Sequence, residues 1–369
     1  MNAYNVAHKT YDAVIIGGGT AGATTAFRLA QRGKRVAIIE RQAHAPPFKI
    51  GEGLPPTINP LLKELGLLSE LEAGPHQRVY GNRSVWGSDQ IQSQDFIFQP
   101  YGDGWHLDRV AFDDLLRNLA QQAGADIWWS SRLLSSHYCD NHWQLEVTTK
   151  DQQSVFEAPW VVDATGRSAI FARRMNIQRN RDDRLIAFVQ RFERVDEDQD
   201  ATTLIESFAQ GWWYTAALPQ NQRVVVMLTD DDTEAMTATR TEDGFRDLLG
   251  RTKHISTQLR DAQSQGNLSS SPAGGSRLEK FEGIGWLSVG DAAMAFDPLS
   301  SQGILTALYC ADKAAQALVQ ALDTSQNTVP DYGGLLAQIY QAYQASYHQF
   351  YAREDRWPHE PFWQRRRFR

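Results

Sequence analysis

The sequence predicts an α/β protein: a parallel, Rossmann-like sheet flanked by helices, with an inserted antiparallel sheet and a C-terminal helical segment. Three observations predict it. Short apolar runs that end on glycine- or aspartate-bearing turns recur far apart in the chain, at 13–16, 160–163 and 285–289. Between 184 and 228 the chain breaks into short strand-like stretches separated by turn residues, as in an antiparallel sheet. Beyond 333 the spacing is that of one long helix rich in Tyr, Gln and His. A chain of 369 residues can bury a substantial core, enough for two closely joined domains.

The first run, Ala13-Val14-Ile15-Ile16, is wholly apolar and largely β-branched, as a buried parallel strand requires. Gly17, Gly19 and Gly22 follow as G-x-G-x-x-G, then a helical stretch from Ala23 to Gln31 ending near Gly33, and a second strand from Arg35 to Ile39. Glu40 ends that strand, 23 positions after Gly17. Gly17 permits the tight turn, Gly19 lets backbone approach a pyrophosphate, and Gly22 permits close helix–strand packing. The helix N-terminus offers unpaired N–H groups to phosphate, and an acid at 40 accepts from a ribose diol, which favours FAD or NAD over NADP.

The second run leads into Asp163-Ala164-Thr165-Gly166-Arg167, and the third into "GDAAMAFDPLSSQGI" (290–304). A NAD-only domain completes its sheet without such long insertions. Three such strands separated by inserted segments resemble the flavoprotein hydroxylases of the p-hydroxybenzoate hydroxylase type, over about two-thirds of the chain. The resemblance implies an FAD-binding domain of that type from 8–75, 101–178 and 277–325. It implies a substrate domain from 76–100 and 179–276, and a helical segment from 326–369.

That resemblance also assigns the cofactor, FAD, to particular residues. Thr20 and Ala21 belong with the three glycines, Arg41 with Glu40, and Gly51, Ala164 and Gly166 with the turns facing it. Gly290, Asp291 and Ala292 would meet the ribityl chain and pyrophosphate. Pro298, Ser301, Gln302, Gly303 and Ile304 would wrap the isoalloxazine ring. "LDRVAFDDLLRNL" resembles the family's L-x-R helix, which puts Arg109 near the flavin; by periodicity alone Arg109 simply starts an amphipathic helix.

"KIGEGLPPTINPLLKELGL" (49–67) resembles the loop and helix after the second strand in flavin-dependent halogenases and their hydroxylase relatives. Glu52 in that loop is the candidate for a residue affecting turnover; no acid or base is assigned beyond it. Halogenases of this kind carry a lysine after the segment, and here no lysine occurs between Lys63 and Lys150. Arginine does not substitute for an amine nucleophile. Chain length, the SSQG loop (300–303) and the terminal aromatic motif are most similar to the LodB/GoxB-like flavoproteins. That similarity implies a monooxygenase using O2 to hydroxylate a peptidyl tryptophan of a partner protein, a quinoprotein precursor. Reductant is left open between NAD(P)H and a reduced flavin donor. A small-molecule aromatic hydroxylase, a halogenase, an isoprenoid reductase and a non-catalytic flavin-binding maturation factor stand as alternatives.

On the substrate side, Trp212 and Tyr214 share one face of a strand and Trp213 takes the other. These three, with Trp86, are candidates for a substrate pocket, though core packing accounts for the run of rings equally well. The stretch 243–259 reads as a surface helix and "GNLSSSPAGGS" as a connector. The acidic turns 195–200 and 230–234 and the basic tail 364–369 read as solvated. Net charge of −7 argues against nucleic acid as a partner. Cys139 and Cys310 make neither a disulfide framework nor a metal site, and no cluster has metal-ligand spacing. No apolar run near the N-terminus suits a signal peptide or a membrane span, so the expectation is a soluble, cytoplasmic protein.

Overall fold

A computed structural model describes residues 7–44, 48–150, 152–195 and 198–367. The expected α/β class is found. Its centre is a six-stranded sheet in the order Glu282–Gly283, Trp286–Ser288, Trp160–Asp163, Ala13–Ile16, Val36–Ile39, Asp126–Trp128. The three apolar runs of the sequence are therefore direct neighbours, although more than a hundred residues separate each from the next. All pairings are parallel except the edge pair of Glu282–Gly283 with Trp286–Ser288. Residues 13–16, 36–39 and 160–163 are completely buried, which explains why these strands are continuously apolar rather than alternating.

Register positions the site. Asp163 lies opposite both Ile16 and Ser288, and Ile16 opposite Ile39. The strands therefore end together, and the turns beginning at Gly17, Glu40, Ala164 and Val289 gather along one edge. Helices Thr20–Ala30, Arg109–Gln122 and Gly303–Asp323 pack beside the sheet. A four-stranded sheet of Ala7–Thr10, Gln152–Ala158, His142–Thr149 and Ser131–Cys139 lies beside it.

The inserted sheet has seven strands, in the order Ser264–Pro272, Leu185–Glu193, Gln222–Asp230, Gly211–Leu218, Thr203–Phe208, Gly81–Val85, Gln92–Asp95. The stretch read as a Ser/Gly connector is its edge strand, pairing with Leu185–Glu193 through Ser269, Ser270 and Ser271. Backbone hydrogen bonds form the ladder whatever the side chains, and an edge position asks little burial of them. The expected helix 243–259 is two helices, Glu242–Leu249 and Ile255–Gln258. Buried Glu206 accepts from the N–H groups of Lys253, His254 and Ile255 and so starts the second helix afresh.

Three stretches read as solvated are held in place. Asp230 is fully buried, and Arg366, itself 1% exposed, binds its carboxylate at 2.6 Å, with Arg365 also in contact. Asp198 is bound by buried Arg223 at 2.8 and 3.0 Å. The basic tail and both acidic turns are thus partners in ion pairs that join distant parts of the chain. Residues 196–197 and 368–369 of these stretches lie outside the described residues. Among the described residues no helix is long and apolar enough to cross a membrane, and no group of His, Cys, Asp or Glu is placed to hold a metal ion. Cys310 is buried, and burial pushes its thiol up to about 12.

Candidate functional site

The edge where the strands end opens into a cavity of about 600 Å³. Its lining includes Gly17, Gly19, Glu40, Arg41, Arg109, Ala164 and Gly166, seven of the residues expected from the sequence to bind a cofactor. Gly17 turns with φ +103°, and any Cβ there would strike the Ala164 carbonyl. A Cβ at Gly22 would overlap the Gly17 carbonyl and lie 2.9 Å from the Ala164 Cβ. Gly19 differs: its Cβ would point into open space, with the Lys49 Nζ the nearest atom at 3.9 Å.

Gly19 is also the N-cap of helix Thr20–Ala30, and no side chain caps it. The helix's first N–H groups are left for an anion, and its first turn carries no acid to compete. The Glu40 carboxylate is fixed by the Gly18 N–H at 2.7 Å and the Gln42 N–H at 2.8 Å, at the mouth of the cavity. Uncapped N–H groups at a helix start, an oriented acceptor and a cradle that a Cβ would fill suit the pyrophosphate and ribose of a dinucleotide.

Arg109 opens its helix behind the N-cap Asp108. Its guanidinium donates to the carbonyls of Ile50 and Gly51 at 2.9 and 2.7 Å and to the Thr20 hydroxyl at 3.1 Å. It therefore anchors the 50–52 loop to the glycine-rich turn. Sequence reasoning missed Asp113, one helical turn along, which accepts from Thr20 at 2.6 Å and pairs with Lys49 at 2.8 Å. Burial opposes its charge, but Arg109 and Lys49 together hold its carboxyl down at about 2. The signal was available as Arg-x-x-x-Asp on one helical face. Arg179, also missed, fixes the turn after the third strand by donating to the carbonyls of Asp291 and Ala292 at 2.7 and 2.9 Å. The Asp291 side chain is left partly exposed, 3.6 Å from Arg167.

Past that turn, Asp297 caps the short helix Pro298–Ser300 by accepting from the Leu299 N–H at 2.8 Å. Ser301 turns with φ +50°, and Gln302 is the N-cap of the 21-residue helix beginning at Gly303. Its first turn carries no acid and no side chain caps it; Ile304 there is buried. A Cβ at Gly303 would meet nothing within 4 Å.

Glu52 is 5% exposed, at the head of strand Gly53–Leu54. Its carboxylate group accepts from the Gly51 N–H at 3.0 Å and is hydrogen-bonded to the Tyr214 phenol of the inserted sheet. Burial pushes the Glu52 carboxyl above the usual carboxylate range, and burial followed by the neighbouring Glu52 pushes Tyr214 well above the usual phenol value. Both shifts favour the uncharged forms of this enclosed pair. It joins a candidate of the 49–67 loop to a candidate of the inserted sheet.

The other aromatic candidates lie elsewhere. Trp212 and Tyr214 share a face, 6.2 Å between ring centroids. On that face Trp86 and Trp212 are buried against Tyr351, with Trp363 5.2 Å from Trp86. The chain's own C-terminal rings fill this ground, so these two indoles form core there. Trp213 occupies the opposite face, packed against Phe245 at 5.1 Å. Tyr214 is the candidate that borders the 48–52 loop, with Ile50 and Leu299 packed against the same cluster.

Known proteins share this fold. A family model described as "FAD binding domain" matches residues 10–331. The putative FAD-dependent oxidoreductase LodB of Marinomonas mediterranea is 31% identical over 97% of each chain. A 1H-pyrrole-2-carbonyl-[peptidyl-carrier protein] brominase of Pseudoalteromonas luteoviolacea is 25% identical, over 88% of this chain and 81% of that one. The crystal structure of CmlS, a flavin-dependent halogenase, superposes with a TM-score of 0.86 at 24% identity, covering 98% of this chain and 68% of that one. With the cradle's geometry and these matches together, the protein belongs to the FAD-binding-domain family of flavoproteins and is an FAD-dependent oxidoreductase.

Proposed function

We propose that this oxidoreductase is a monooxygenase that hydroxylates an electron-rich aromatic ring, the substrate being a tryptophan side chain in a partner protein, a quinoprotein precursor. The observation that carries the reading is the Glu52–Tyr214 pair beside the flavin loop, in a site without a free amine. Bound FAD supplies the two-electron reduction and O2 chemistry. One oxygen atom enters a ring C–H as C–OH, and the other leaves as water with two electrons and two protons. The chain's part is to hold the cofactor, exclude water and keep a proton available at the Glu52 Oε atoms.

The lysines argue against halide activation. None occurs between Lys63 and Lys150, and Lys49, beside the loop, is tied to Asp113 at 2.8 Å. That amine is engaged by a buried carboxylate rather than presented to a substrate. A ring tethered to a protein is supported as substrate class by the brominase relative, whose pyrrole is carried on a peptidyl-carrier protein. Small phenols and indoles are the second reading.

The test is intact mass of a tryptophan-bearing candidate partner coexpressed with this chain. A Gly19→Trp variant, blocked at the pyrophosphate, serves as the control. Mass gains in oxygen units with the intact chain alone support the reading. An unmodified partner beside a folded, FAD-loaded chain overturns the protein substrate and turns the search to free aromatic molecules.

A further inference from the structure

We infer that Tyr351 and Asp297 form a positioning pair through which the C-terminal helix ties the flavin loop to the inserted sheet. The inference rests on the reading that residues 298–303 meet the flavin. Tyr351 is fully buried on helix Pro330–Ala352, far along the chain from both of its partners. Its hydroxyl donates to the Asp297 Oδ2 at 2.9 Å and accepts from the Trp212 Nε1–H at 3.0 Å. One phenol thus spans from a strand of the inserted sheet to the residue that caps the turn leading to Gly303.

Asp297 is held from every side. Its Oδ1 accepts from the Leu299 N–H at 2.8 Å, its own N–H donates to the Tyr343 hydroxyl at 3.0 Å, and its carbonyl accepts from the Ser300 hydroxyl at 2.8 Å. The ring of the preceding Phe296 stacks on Tyr343, with centroids 4.2 Å apart and planes 7° apart. Every one of these contacts fixes the backbone from which Pro298–Ser300 starts. A segment that reads from sequence as mere helical packing therefore completes the loop.

The charged and titratable groups facing Asp297 come from three elements. Tyr343, Tyr347 and Tyr351 come from the long helix; Asp183 lies before strand Leu185–Glu193; Arg366 comes from the last helix and is itself bound to Asp230. Burial, then Asp183, pushes the Asp297 carboxyl up to about 7, against the opposing pull of Arg366. The capping residue of this loop accordingly changes charge near neutral pH, and its ionised form is the better acceptor for both Leu299 N–H and Tyr351 O–H.

The test uses the FAD-loaded full chain and reads the flavin itself. Tyr351→Phe keeps the ring and removes both hydrogen bonds. The expected result is a shifted flavin absorption spectrum, FAD affinity lowered about tenfold, and a displaced pH dependence of the flavin midpoint potential. Trp212 emission should change in parallel. Asp297→Asn should abolish the pH inflection near 7 while retaining the cap to Leu299. Gly303→Val is the control, since its side chain has open space and should perturb the flavin directly. If Gly303→Val alters the flavin while Tyr351→Phe and Asp297→Asn leave spectrum, affinity and pH profile at parent values, the positioning inference is overturned. If Gly303→Val also leaves the flavin untouched, the loop is not a flavin contact and both readings fall. Should Tyr351→Phe not fold, Trp212→Phe and Asp297→Asn read the two ends of the same link.

Discussion

Replacing Gly19 with valine should remove FAD and spare the fold, whereas replacing Gly22 with alanine should do the opposite in order. Gly19 sits at φ −74° and ψ −175°, a conformation any residue adopts, and its Cβ would have no neighbour closer than 3.9 Å. The folding cost of a non-glycine N-cap there is about 1 kcal/mol. The same side chain stands over the uncapped helix N-terminus, the proposed pyrophosphate site. Losing two backbone hydrogen bonds to a charged group, each about 1.5–3 kcal/mol, weakens FAD by about 10²- to 10⁴-fold. At Gly22 the added Cβ meets a backbone carbonyl and, at 2.9 Å, the Ala164 Cβ. Backbone in a central strand turn cannot yield as a side-chain tip can, so the cost is about 2–3 kcal/mol of stability. Thermal melts by circular dichroism and titration of apoprotein with FAD by flavin fluorescence measure the two effects separately. A Gly19→Val protein that binds FAD within threefold of the parent would refute the placement of the pyrophosphate at this helix.

Three further outcomes follow from the same geometry. Arg366→Met should lower stability by about 3 kcal/mol, the low end for a broken buried pair because Arg365 still contacts Asp230; a denaturant melt reads it, and an effect under 1 kcal/mol would show the pair to be dispensable. His106 is buried, bound to Thr203 at 2.9 Å, and burial, with Arg223 and Arg194, pushes it down from 6.5 to about 4. Its folded pKa lies below the unfolded one, so its contribution is intact above pH 6.5 and is lost as pH falls towards 4. That amounts to about 3 kcal/mol, and His106→Asn should flatten the stability-versus-pH curve in that window, an unchanged slope counting against it. Glu52→Gln should leave FAD affinity within about threefold while lowering the proposed hydroxylation about 10²-fold or more; turnover equal to the parent would remove Glu52 from the chemistry.

Local sequence carried the cofactor half of the protein. Gly17, Gly19, Gly22 and Glu40 could be read together because a phosphate-binding turn is a short-range object: strand, turn, helix and strand follow one another within 30 residues. The later strands 160–163 and 286–288 were recognisable because full burial on both faces leaves an unbroken apolar run. By contrast, Asp230, Asp198 and Arg366 looked solvated because a charge is polar in sequence whether its partner is water or a buried counter-charge. Arg366 and Asp230 are 136 residues apart, and no periodicity links them. The Ser264–Pro272 strand was invisible for a related reason, since its ladder is made by backbone atoms that every sequence has.

The sequence by itself therefore carried the glycine spacing and the one acid of a dinucleotide-binding turn, residues that line one cavity in the fold. Only tertiary structure decided which residues meet between the 50–52 loop and the inserted sheet. It set Glu52 on the Tyr214 phenol, covered Trp86 and Trp212 with Tyr351 and Trp363, and turned Trp213 away to the opposite face. The physical reason is range: a turn is fixed by the φ, ψ and side chains of its own few residues, whereas a buried hydrogen bond or ring contact depends on which distant segments the core brings together.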